Sequence, residues 1–155
     1  MRIVSKLFIW FLSLFLWGII IYSYQIVGFY WMIIVLNGEL SRIWLAVLVS
    51  GLRFVIQSAL FLGMLRVILR TLPSLNAYLR STVPLALAGV TGFVLRVFYN
   101  NWIPFRLIME QMALVLGLIV ALMLLSRELN VKKKSYILYT LGGILIFLIL
   151  IPIPL

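Results

Sequence analysis

The stretch Ile43 to Leu69, IWLAVLVSGLRFVIQSALFLGMLRVIL, constrains this chain more than any other, because it is a long apolar run with an arginine, Arg53, in its interior. At about 1.5 Å of rise per helical residue, Arg53 stands roughly 15 Å from Ile43, near the middle of a hydrocarbon layer about 30 Å thick. A guanidinium at that depth costs from about 3 kcal/mol on insertion scales to beyond about 10 kcal/mol in simulation, so it faces protein or water and finds a partner. Ser50, Arg53 and Gln57 fall at i, i+3 and i+7 and so share one helix face. The remaining chain has to supply what that face meets.

Composition sets the class. Of 155 residues, 66% are hydrophobic and 10% charged, and the mean hydropathy of +1.26 lies far outside the range of a soluble domain. The apolar runs are continuous rather than alternating, which excludes a β-barrel pattern and predicts an all-α, polytopic transmembrane bundle forming one integral membrane domain over residues 1–155. The net charge of +10 comes from 13 Lys and Arg against three acidic residues. These charges sit mainly in short loops between apolar runs, so topology and anionic lipid headgroups account for them better than nucleic acid does. The chain has no Cys and no His. That removes disulfides, thiol chemistry, zinc and histidine-ligated haem sites and imidazole-dependent catalysis, so no metal and no cofactor is expected.

Met1 to Lys6 followed by the apolar run Leu7 to Ile21 resembles a signal peptide, but no small-residue cleavage site follows, and the segment reads as an uncleaved signal anchor. Leu7 to Leu36 is 30 residues, about 45 Å as one helix, too long for one upright span and too short for two. A first span over residues 7–24, with 26–36 as an interfacial or re-entrant piece carrying Phe29, Tyr30 and Trp31, is the economical reading; one strongly tilted helix is its rival. Asn37-Gly38-Glu39 signals a turn. Further spans fall at about 43–65, 83–99, 105–125 and 136–151. Pro73 and Pro84 bracket a loop before the third, Asn100 to Pro104 turns into the fourth, and Pro152-Ile153-Pro154-Leu155 follows the fifth.

Charge tests the count of five. Arg2, Lys6, Arg66, Arg70, Arg80, Arg127, Lys132, Lys133 and Lys134 fall on one side, nine basic residues against Arg42 and Arg106 on the other. The positive-inside rule then puts the amino terminus in the cytoplasm and the carboxyl terminus outside. No span pair has matching polar positions, which argues against an inverted repeat.

Glu110 is the one acidic residue inside a span. Arg96 matches it best in depth, and Arg53, a turn or two deeper, could reach it through its long side chain. Gln57 and Gln111 could complete a network. Gly89, Gly92 and Arg96 share one helix face, as do Glu110, Ala113, Gly117 and Ala121, so spans two to four would pack closely through small residues around these charges. Arg53, Gln57, Arg96, Glu110 and Gln111 are therefore the candidate intramembrane polar site, for a proton, an anion or a lipid phosphate. An ion pair that fixes helix register is the plainer alternative. Arg66, Arg70, Arg80, Arg127, Lys132, Lys133 and Lys134 are candidate headgroup or topology contacts. The tryptophans suit interfacial or lipid-facing positions better than a pigment or quinone pocket.

Paired acid and base groups are lacking, since Glu39 and Glu128 fall in loops, and no Gly-rich phosphate loop follows a strand. The expected function is a non-catalytic integral subunit that scaffolds, anchors or stabilises a larger membrane complex, with other integral membrane subunits and anionic lipids as partners. The alternative is a small homo-oligomeric transporter or lipid-handling protein built on the Arg/Glu site; an enzyme acting on a lipid-linked substrate ranks third.

Overall fold

The computed structural model describes residues 2–35, 37–99 and 103–149. Trp102, most of the turn before it and the proline-containing tail lie outside the described residues, as do the side chains of Lys133 and Lys134. Every regular element among the described residues is helical: α1 (Arg2–Ile21), α2 (Ser23–Val35), a 3-10 turn at Leu40–Arg42, α3 (Ile43–Leu69), α4 (Leu75–Ser81), α5 (Val83–Phe98), α6 (Ile103–Glu128) and α7 (Lys133–Ile149). Among the described residues three helices are long and apolar enough to cross a membrane: Ile3–Ile21 within α1, α3 and α6. The pair α4 and α5 passes together as a fourth, bent by 45°. In α7, Ser135–Phe147 is a shorter apolar helix. Val67 is 81% exposed and Phe98 74%; an outer surface of this kind is compatible with an integral membrane protein, whose lipid tails cover such side chains.

Short polar signals end the helices. After α2, Asn37 takes φ 51°, Gly38 N donates to Ile33 O at 2.8 Å and Asn37 N to Ile34 O at 3.3 Å. After α6, Asn130 takes φ 48°, with Val131 N donating to Ser126 O at 3.1 Å and Asn130 N to Arg127 O at 3.3 Å. Both ends use asparagine, which tolerates the left-handed region, to satisfy carbonyls the helix leaves open. Ser74 caps α4 by accepting from Ala77 N at 3.3 Å. Residues 75–81, read from sequence as loop between Pro73 and Pro84, are thus helical. Pro84, lacking an N–H and crowding the preceding turn, is the cause of the bend between α4 and α5.

The bundle is held through close approaches and aromatic packing. Helix α2 packs on α3 and α5, and α5 packs along α6. Residues 26–35 therefore belong to a helix that packs within the bundle. At Gly89 in α5, a side chain would overlap the carbonyl of Ile21, so only glycine lets the backbones of α1 and α5 meet there. Phe61 sits at the centre of an aromatic cluster, with ring centroids 5.7 Å from Phe147, 5.8 Å from Tyr139 and 6.5 Å from Tyr78. Two buried tyrosine hydroxyls of this cluster have partners: Tyr78 Oη donates to Ser58 Oγ at 3.0 Å and Tyr139 Oη to Leu122 O at 2.8 Å. Trp17 Nε1 donates to Thr82 Oγ1 at 2.9 Å and ties α1 to the bend before α5. An apolar medium leaves such groups no water to turn to, so these bonds fix how the helices meet.

Candidate functional site: a buried arginine and glutamate network

Helices α5 and α6 run antiparallel, with Gly117 of α6 against Pro84, Leu85 and Ala88 of α5 and Glu110 against Arg96, while Gly89 and Gly92 of α5 turn toward Ile21 and Tyr24. Arg96 Nε donates to Glu110 Oε1 at 2.9 Å and Arg96 Nη2 to Oε2 at 3.1 Å, a two-point pairing of fork and carboxylate. Their side chains are only 9% and 1% exposed. Arg106, one helical turn before Glu110, brings its Nε to 3.5 Å from the same Oε1. Because α6 begins at Ile103, Arg106 lies in its first turn, half-buried, and belongs to this site rather than to an outer loop.

Helix α2 supplies the remaining walls. Arg96 Nη1 lies so close to Gly28 that any side chain there would overlap it, and the guanidinium stands 5.1 Å from the centre of the Tyr24 ring. Tyr24 Oη accepts from Gln25 Nε2 at 3.3 Å, and Gln25 Oε1 accepts from Arg53 Nη1 at 3.2 Å. Arg53 rests over the Tyr22 ring at 4.6 Å. Tyr22 Oη donates to Gln57 Oε1, and Gln57 Nε2 donates to the carbonyl of Phe147 at 3.5 Å. A polar ladder thus runs from α6 through α5, α2 and α3 to α7.

Of the five residues singled out in the sequence, Arg96 and Glu110 meet directly, and Arg53 and Gln57 join the ladder through α2. Arg53 does not reach Glu110; its partners are Gln25 and Tyr22. Gln111 is half-buried and makes no hydrogen bond to the ladder among the described residues. Tyr22, Tyr24, Gln25, Gly28 and Arg106 complete the site and were not among the candidates. Their sequence signals are the polar cluster Tyr22-Ser23-Tyr24-Gln25 inside an apolar run and the four-residue spacing of Arg106 to Glu110. Arg66, Arg70, Arg80, Arg127 and Lys132 are exposed and take no part in the ladder.

The electrostatics are lopsided. Among the described residues the ladder holds three arginines, Arg53, Arg96 and Arg106, and one carboxylate, which is committed to Arg96 and Arg106. Arg53 Nε and Nη2 are buried and have no hydrogen-bond partner among the described residues. Unpaired guanidinium nitrogens in an apolar medium are costly, which makes Arg53 the position where a further acceptor is worth most. Among the described residues no group of three acidic, His or Cys side chains could hold a metal ion. No protein-family model matches the chain, and neither a curated protein nor a solved structure is significantly similar to it.

Proposed function

We propose that the chain is a non-catalytic integral membrane subunit that scaffolds, anchors or stabilises a larger membrane complex. Five passes, formed by α1 with α2, by α3, by α4 with α5, by α6 and by α7, agree with the alternation of basic residues in the sequence. That arrangement carries the amino terminus in the cytoplasm and the carboxyl terminus outside.

The observation that carries this reading is Arg53. Its Nε and Nη2 are buried without acceptors among the described residues, while on either side of it along α3, Val49 and Ile56 are 53% and 54% exposed. A helix of another subunit packed against that face would bring a carboxylate to the guanidinium, and the gain from completing a desolvated charge pair would favour assembly. The commitment of Glu110 to two arginines supports a structural rather than a proton-carrying role for the ion pair.

A photo-crosslinking amino acid at position 56 tests this in the native membrane. A discrete crosslink to another integral membrane chain, lost in Arg53→Gln, supports the subunit reading. Crosslinks to lipid alone, or to a second copy of this chain, would replace it with the homo-oligomeric transporter.

A further inference from the structure

Helices α4 and α6 pack together, each with an arginine in its last turn: Arg80 in α4 and Arg127 in α6. Between them opens a cleft of about 420 Å³ lined by Arg80, Ser81, Leu124, Arg127 and Glu128. Among the described residues, neither arginine is in an ion pair. The Ser81 hydroxyl already donates to Tyr78 O at 2.7 Å, so the two guanidiniums are the cleft's main donors.

We propose that this cleft binds the phosphodiester of one anionic phospholipid, of the phosphatidylglycerol class. Charge makes the first case: two arginines and one glutamate leave the cleft with one net positive charge, which a singly charged phosphodiester neutralises. Guanidinium forks suit phosphate oxygens, while the Glu128 carboxylate offers an acceptor for a headgroup hydroxyl. Below the charges the surface turns apolar. Arg127, Leu124, Val120 and Leu116 share one face of α6, and the last three are exposed, giving an acyl chain a track that begins under the phosphate. A free phosphate would use the arginines but not this track. The site is separate from the Arg96 and Glu110 network and does not depend on the subunit reading.

The test is native mass spectrometry of the purified full chain in neutral detergent, titrated with dioleoyl phosphatidylglycerol, dioleoyl phosphatidylcholine or glycerol 3-phosphate. Phosphatidylglycerol should give one saturable adduct. The double variant R80Q/R127Q, with unchanged circular dichroism, should weaken it by at least about tenfold, equal to about 1.4 kcal/mol. R66Q/R70Q, which removes two exposed arginines outside the cleft, should leave it intact. Equal weakening by R66Q/R70Q would overturn the proposal in favour of diffuse surface charge, as would equal binding of phosphatidylcholine. Displacement of the lipid by equimolar glycerol 3-phosphate would overturn it in favour of a soluble phosphate ligand.

Discussion

Arg96 holds Glu110 with two hydrogen bonds, 2.9 and 3.1 Å long, across the antiparallel pair of α5 and α6. With both side chains withdrawn from the surface, the pair is strong only while both members are present. Glu110→Gln leaves Arg96 and Arg106 without a counter-charge. It should destabilise the protein by about 3–5 kcal/mol, the usual cost of breaking a buried pair, read as lowered thermal stability in detergent. The double variant R96L/E110L should recover part of that loss, because it removes the Arg96 charge as well as the attraction and leaves only Arg106 without its carboxylate.

Two glycines meet different neighbours and should respond differently to alanine. At Gly89 the obstacle is the backbone carbonyl of Ile21, which cannot move without shifting α1; at Gly28 it is the end of the Arg96 side chain. Gly89→Ala should therefore cost more than Gly28→Ala, measured by thermal unfolding of the two purified variants. In Gly28→Ala the added loss from Glu110→Gln should shrink, since the displaced guanidinium already holds the carboxylate less well.

Tyr22 does two things, offering its ring to Arg53 and its hydroxyl to Gln57. Tyr22→Phe keeps the ring and strands a buried amide oxygen, at about 1–3 kcal/mol. Y22F/Q57L should be less destabilised than Y22F alone. Equal stability of the single and double variants would show that the hydroxyl contributes nothing there.

The five-pass arrangement makes the two termini lie on opposite sides. A reporter that is active only in the cytoplasm should be active when fused after Arg70 and silent when fused at the carboxyl terminus. Activity at the carboxyl terminus would remove one pass from the count.

Much of this architecture is legible in the sequence, for identifiable reasons. The all-helical class follows from continuous apolar runs, and the turn at Asn37 from residue types that tolerate a left-handed backbone. Arg96 and Glu110 could be matched because a single acid lies within the apolar runs, so depth alone selects its nearest base. The contribution of α2 was not legible in the same way. Hydropathy measures whether residues 26–36 are apolar enough to span, not which helices they touch, so Gly28 and Gln25 showed no sign of abutting two arginines. Arg106 was hidden by the turn before it, since two residues separate a loop charge from a first-turn charge. Helix α4 was masked by its flanking prolines, although Ser74 carried the cap signal.

The most direct test of the subunit reading is extraction of the tagged native protein in mild detergent, with its mass and co-purifying chains determined by native mass spectrometry, beside Arg53→Gln. The account predicts at least one stoichiometric integral membrane partner with the wild-type chain and its loss from the variant, while the variant's own helical fold persists. A wild-type chain that emerges alone, or only as copies of itself, would contradict it.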